Sequence, residues 1–278
     1  MIRSIHAIHS TTRHGHGVTA DCRIRTYPGR VPITLTALND VSPDPTIALA
    51  QARALLDEVK AGRRAGVLRL YRPEPTAAFG ARDRFLPGFP AAVAAARDHG
   101  FTPVLRSLGG RVAVYHRDSL VIDHLEPAAG LLSGTQERFT GFGDWYTAIL
   151  RGLGVDARLG EIPGEYCPGE HSVNVAGRIK AIGTAQRVTH SGWLFSSSVV
   201  VADPDPIRAV LTDIQSALGV DWDPATGGAI SEVHPGVTAD AVEAAFRTAY
   251  SERFTVEPGT LTAAEVRAAE GYVDQHRL

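Results

Sequence analysis

The order in which two hydrophobic periods alternate constrains this chain more than any other feature. Short apolar or alternating runs with the spacing of strands fall at 67–71, on both sides of a loop at 106–111, around 119–122, at 172–182 and at 193–201. Helical patterns separate some of these runs and not others. Asp44-Pro45 reads as an N-cap followed by proline at the first helical position, opening a helix that runs to Lys60 and stops at Ala61-Gly62. Pro90–His99, Phe139–Leu153 and Pro206–Leu218 are further helices, the first and last closed by Gly100 and Gly219. Asp240 with Glu243, and Thr262 with Glu265, carry the capping-box spacing of two more. A strict strand–helix–strand repeat would demand a parallel sheet. This order does not, so the expected fold is an α/β or α+β domain built on a mixed sheet flanked by helices.

Composition narrows the function classes. At 278 residues the chain can bury an ample core in one large domain or two small ones. A net charge of -2 argues against nucleic acid as the main partner. No apolar run reaches the length of a membrane span, and the N-terminus lacks the apolar core of a signal peptide. Two cysteines far apart, Cys22 and Cys167, make no disulfide framework, so a soluble protein of the reducing cytoplasm is expected. His6, His9, His14 and His16 crowd the N-terminus, but their spacing matches no metal site. Residues 1–36 therefore read as an added segment, with a strand around Cys22–Tyr27, and no metal is expected.

Chemistry concentrates between Glu161 and Val188. Cys167 stands there between Tyr166 and the turn signal Pro168-Gly169, which places it in a loop. Lys180 follows, one of only two lysines in a chain that otherwise uses arginine. Unlike arginine, lysine can release a proton. Ser172–Val175 and Arg178–Ile182 alternate in polarity around Ala176-Gly177, the pattern of a hairpin. A two-residue turn would set Lys180 across from Val173, at the end from which the Cys167 loop departs. An ammonium brought close to a thiol favours the nucleophilic thiolate. The plainer reading stands beside this one: a single cysteine is more often a small buried hydrophobe, and a single strand lysine a solvated charge.

Other residues compete for roles. Gly109-Gly110 would let backbone N–H groups approach a ligand, and Arg106 and Arg111 flank the pair as anion holders, although Gly-Gly between strands is more often a hairpin turn. His171 is a rival base for Cys167, since Cys–His is the commoner dyad. Were it to begin the strand, its side chain would point to the other face. His116 is a third candidate, at the end of the strand after the glycine loop.

These segments resemble a known family. Arg106-Ser-Leu-Gly-Gly-Arg-Val-Ala-Val-Tyr-His116 and Gly164-Glu-Tyr-Cys-Pro-Gly-Glu-His-Ser-Val-Asn-Val-Ala-Gly-Arg-Ile-Lys180-Ala-Ile-Gly-Thr-Ala-Gln-Arg187 are similar to the two signatures of the lipoate–protein ligase A/B superfamily. The second is most like the cysteine-bearing branch of octanoyltransferases and octanoyl-[carrier] amidotransferases, and Leu70–Gly80 fits the lead-in to the glycine loop. The resemblance covers about residues 40 to 250. It implies the fold shared with biotin protein ligases and class II synthetase cores, with a catalytic domain over 37–255, the extension before it and a C-terminal helix over 256–278.

The resemblance also implies roles. Cys167 matches the acyl-accepting nucleophile and Lys180 the lysine at the acyl carbonyl. Arg106, Gly109, Gly110 and Arg111 match the loop lining the acyl site, and Gly183 falls inside the second signature. His116 and His171 are carried as further substrate-binding candidates. The implied reaction takes an octanoyl or lipoyl group from acyl carrier protein or an acylated H protein, through a cysteine thioester, to the lysine of a lipoyl-domain protein, with no cofactor. Two alternatives follow from the same fold: an ATP-dependent ligase working through an acyl-adenylate, and a non-catalytic relative that binds an acyl group or a carrier. Only two glycines stand where ATP-using ligases usually have three, which weighs against the adenylating reading.

Overall fold

The computed structural model describes residues 33–128 and 134–278. The four N-terminal histidines, Cys22, the strand expected at 22–27 and nearly all of the 1–36 extension lie outside the described residues. Among the described residues the strands form two sheets. The larger holds β1 (Thr34–Leu38), β2 (Val67–Tyr71), β6 (Ser119–Pro127), β7 (Ala157–Leu159), β8 (Val173–Val175), β9 (Ile179–Val188), β10 (Gly192–Val200) and β11 (Thr255–Gly259). Its order is β11-β1-β2-β6-β10-β9-β8-β7. The smaller holds β3 (Thr76–Phe79), β4 (Thr102–Leu105) and β5 (Ala113–Tyr115) in the order β4-β3-β5. β1 runs parallel to β2 and β11, while β2, β6, β10, β9, β8 and β7 pair antiparallel. The mixed sheet is as expected.

Helices cover both sheets. They are α1 (Pro45–Lys60), α2 (Phe89–Asp98), α3 (Thr135–Gly152), α4 (Pro204–Leu218), α5 (Ile230–Val233), α6 (Ala239–Arg253), α7 (Ala263–Glu270) and α8 (Val273–His276). α1 starts as its sequence dictates: Asp44 Oδ1 accepts from the N–H groups of Thr46 (2.8 Å) and Ile47 (3.2 Å). α6 starts two residues earlier than its sequence suggests. Thr238 Oγ1, not Asp240, accepts from Ala241 N at 3.1 Å, and Asp240 lies inside the first turn.

β6 is the spine, with eight of its nine residues buried. Leu120 and Ile122 meet Phe142, Tyr146, Phe246 and Tyr250 of α3 and α6 on one face. Leu125 meets Leu55 and Leu56 of α1 on the other. α2 and α4 pack Ala92, Val93, Ile207 and Leu211 around Phe79 of the small sheet. No helix among the described residues is long and apolar enough to cross a membrane.

Two local departures from the sequence reading matter for the site. The Gly109-Gly110 segment is not a hairpin turn, because β4 and β5 never pair; they flank β3, parallel and antiparallel to it, so 106–111 crosses over the end of β3. The β8–β9 hairpin exists, yet its register differs. Ala176 (φ 55°) and Gly177 (φ 67°) both take left-handed conformations, and Arg178 N donates to Val175 O at 3.0 Å. Val175 then pairs with Ile179, so Lys180 faces Asn174 instead of Val173, with a bulge between Val173 and Asn174.

Candidate active site

The loop before β8 folds around a buried carboxylate. Glu165 accepts from Ile162 N (3.1 Å), Ser172 Oγ (2.7 Å) and Lys180 Nζ (2.8 Å). Gly164 (φ 82°) packs against Asp223, whose N–H donates to the Gly164 carbonyl at 2.8 Å. Tyr166 sets its ring edge-on to Trp222 with centroids 6.0 Å apart. With both flanks fixed, Cys167 is held at φ 49°, a left-handed conformation that a side chain resists. Strain of this kind persists only where the surroundings over-determine it, and it collects at functional sites.

Lys180 is buried, with 3% of its surface exposed. Its ammonium donates to Glu165 Oε1 (2.8 Å), the Cys167 carbonyl (2.7 Å) and the Tyr166 carbonyl (3.1 Å), which uses all three of its donors. The ammonium therefore clamps the backbone of the cysteine loop. The bond to the sulfur comes from the glycine loop, where Arg111 N donates to Cys167 Sγ at 3.2 Å.

Glycine makes that approach possible. Gly110 (φ 89°) runs so close beneath the thiol that a Cβ there would stand 3.2 Å from Cys167 Sγ and 2.7 Å from Arg106 Nη2. Behind it, a Cβ on Gly80 would fall 1.9 Å from the Gly110 carbonyl oxygen. Arg106 donates to the Arg111 carbonyl and so ties the two ends of the loop. Asp83 is fully buried; it accepts from Gly80 N (2.9 Å) and from Arg111 Nη1 (3.4 Å). Burial pushes its carboxyl above the usual carboxylate range, against the opposing pull of the Gly80 N–H and Arg111. Arg187 on β9 donates to the Ser107 carbonyl at 3.1 Å and braces the loop from the far side.

A cavity of about 600 Å³ opens between the glycine loop and the β9–β10 face. Cys167, Lys180, Arg106, Gly109, Gly110, His171 and Gly183 all line it, so seven of the nine residues expected from sequence meet there. Leu49, Tyr71, Ala78 and Val121 supply an apolar wall. Arg111 contributes its backbone N–H while its side chain turns to Asp83. His116 stands apart from the cavity lining: it is buried and its Nε2 bonds to the Asp203 carbonyl at 2.7 Å, which ties β5 to the start of α4. His171 does not point to the other face. It stacks on Phe139, with centroids 5.2 Å apart and planes 3° from parallel, and its Nε2 lies 2.8 Å from Gln136 Nε2 and 3.1 Å from Glu170 Oε1.

Glu165, Gly80 and Arg187 are the contributors that the sequence reading passed over. The signal for Glu165 was present, since a buried lysine requires a buried acid. Gly80 and Arg187 stand within the lead-in and the second signature, but they act across the chain, on Gly110 and on the Ser107 carbonyl, and no spacing announces those contacts.

The profile of the lipoyl protein ligase A/B catalytic domain matches residues 44–250, which include every residue of this cavity. The chain belongs to that family. Among curated relatives, an octanoyl-[GcvH]:protein N-octanoyltransferase of Geobacillus kaustophilus is 30% identical over 158 residues, 57% of this chain and 56% of its own. A protein of the same name from Exiguobacterium sibiricum is 26% identical over 147 residues, 52% of each chain. The chain thus spans about half the length of the curated relatives it matches. Among solved structures, a lipoate-protein ligase A bound with ATP superposes with a TM-score of 0.68 at 19% identity, covering 87% of this chain and 95% of that one. A bi-partite lipoate protein ligase from Thermoplasma acidophilum superposes with a TM-score of 0.63, also at 19% identity, over 87% and 91%. At such identity the superpositions show a shared lipoate-ligase fold. The expected fold is thereby confirmed.

Proposed function

We propose that the protein is an acyltransferase that moves an octanoyl or lipoyl group from an acylated carrier to the lysine of a lipoyl-carrier domain, by way of a thioester on Cys167. The observation that carries this reading is the thiol itself. It is strained, half-buried at the cavity wall, and bonded by a backbone N–H of the glycine loop. The names of the curated relatives support the acyl group and the kind of carrier.

In the first half-reaction the Cys167 sulfur attacks the acyl carbonyl of the donor. A sulfur–carbon bond forms, and the donor leaves with a proton as a thiol from acyl carrier protein or as an amine from an H-protein-type carrier. In the second, the acceptor amine attacks the Cys167 thioester, loses a proton and takes the chain as an amide. Thioester-to-amide transfer runs downhill, and amide-to-amide exchange is balanced, so neither requires ATP. The glycine loop, whose Arg111 N–H already reaches the sulfur, is the proposed source of backbone donors to the developing oxyanion, a contribution on the order of 3 kcal/mol per donor. Lys180 and Glu165 hold the cysteine loop in its strained conformation, and Lys180 does so from the wall of the cavity. Arg106, Gly109, Gly110 and Gly183 shape the site around the acyl head, with Leu49, Tyr71 and Val121 receiving the chain. The proposed compartment is the cytoplasm.

Incubation with octanoylated carrier and a lipoyl domain, with and without ATP, tests the reading. Transfer without ATP that is abolished in Cys167→Ser is the expected result. Transfer that needs ATP and survives Cys167→Ser would replace it with an adenylating ligase. No transfer under either condition would leave a binding protein.

A further inference from the structure

The turn that follows β3 carries an unpartnered aromatic and basic face. Phe85 is 87% exposed, whereas the next most exposed large apolar side chains among the described residues, Val266 and Ile47, reach 43% and 38%. A single exposed apolar residue is ordinary and needs no explanation. Three features set Phe85 apart. First, its neighbours show that an inward path existed: Leu86 and Phe89 pack into the small-sheet core, with Phe89 edge-on to Phe79 at 5.3 Å. Second, Arg82 and Arg84 lie beside it in the chain, both exposed, and among the described residues neither guanidinium makes a hydrogen bond or ion pair. The only acid of the turn, Asp83, is buried and spent on Gly80 and Arg111. This face is therefore positive on a chain whose net charge is -2.

The third feature is position. Asp83 bonds Gly80 and Arg111, Gly80 abuts Gly110, Gly110 leaves no room for a side chain beneath the Cys167 sulfur, and the Arg111 N–H bonds that sulfur. The turn is thus built onto the glycine loop, whose Arg111 N–H bonds the thiol of the neighbouring cysteine loop. A substrate presented on a lysine of a folded domain must set that domain against the cavity rim, because the lysine arm is short.

We propose that Arg82, Arg84 and Phe85 form the docking face for the acyl-carrier domain, and that the domain meets it with acidic side chains beside its acylated lysine. This rests on the reaction proposed above for what the carrier brings. Exposed aromatic and arginine side chains are the residue types that dominate binding energy at protein interfaces. Uncompensated charges at such a rim speed and orient encounter in a salt-dependent way.

The test is direct binding of an octanoylated H protein and of an isolated lipoyl domain to the full chain, with acyl transfer followed in parallel. The variants are Phe85→Ala and the double variant Arg82→Glu with Arg84→Glu. Each is expected to weaken carrier binding about tenfold or more, and the double variant also to lose the salt dependence of wild-type binding. Acylation of Cys167 by a small octanoyl thioester, which has no protein surface, is expected to be unchanged in both, which also shows that they are folded. Exchanging the carrier's acidic residues for lysine should restore binding to the double variant. Equal carrier binding by wild type and variants would overturn the proposal. A wild type that binds carrier through Phe85 yet transfers nothing would strike the acyltransfer reading and leave this face standing.

Discussion

Cys167 sits at φ 49° because what surrounds it demands that conformation, and the cost of holding it is open to measurement. A left-handed residue with a Cβ costs about 1–2 kcal/mol, and glycine escapes most of that while losing about 0.5–1 kcal/mol to its freedom in the unfolded chain. Cys167→Gly is therefore expected to be more stable than Cys167→Ala by roughly 0.5–1 kcal/mol in urea denaturation, while both are inactive. Equal or reversed stabilities would mean that the backbone there is relaxed. Cysteine and lysine could be singled out from sequence because they are scarce, and both line the cavity. The conformation of the one and the hydrogen-bonding of the other could not. Lys180 spends its donors on Glu165 and two carbonyls, an arrangement decided by how 160–172 folds back over β9 and not by any spacing in the chain.

At the scale of elements, the β9 strand and the cysteine loop are joined through the Lys180–Glu165 pair, whose side chains are 3% and 0% exposed. Removing one member of such a pair strands a buried charge and costs about 3–5 kcal/mol, whereas removing both charges together can be close to neutral. Lys180→Met alone should lower stability by about that amount. Adding Glu165→Gln should recover at least half of it, since glutamine is uncharged, keeps a carbonyl oxygen to accept from Ile162 N, and can turn its amide N–H to the Ser172 hydroxyl. Acylation of Cys167 should remain poor in the double variant. Recovery of acylation along with stability would reduce the pair to a structural clamp. The hairpin that carries Lys180 was readable from its alternating polarity. Its register was not, because the loop of 176–178 is one residue longer than a two-residue turn and the strand bulges at Val173/Asn174. Alternation marks where strands are and leaves turn geometry unstated.

Across the whole molecule, the site is assembled from segments that are distant in the chain: the β4–β5 crossover, the loop before β8, and β9. The second sheet, with its order β4-β3-β5, is what turned an apparent hairpin into a loop beneath the thiol. Nothing local announces such a pairing, which is why the pieces were legible and their meeting was not. The C-terminal segment belongs to the same assembly. His276 is buried; its Nδ1 donates to the Leu105 carbonyl at the start of the glycine loop, and Arg277 bridges to Val104. Burial depresses the His276 pKa below its ordinary 6.5, with the charges of Arg53 and Arg187 adding to the effect and the Leu105 bond opposing it. The unfolded chain then takes up this proton more readily than the folded one. The stability tied to His276 is present above the unfolded value and is lost as pH falls from there toward the depressed native value. Wild type should thus lose stability relative to His276→Gln between about pH 7 and pH 5, read by denaturation at each pH. A constant difference would remove His276 from the acid response.

The most direct measurement is the mass of the protein after brief mixing with octanoylated carrier in the absence of ATP and acceptor, followed by peptide mapping. The account predicts a gain of one octanoyl group, located on the peptide that holds Cys167 and released by hydroxylamine as a thioester. A protein that passes the acyl group to a lipoyl domain under these conditions, yet never carries it on Cys167, would contradict the account.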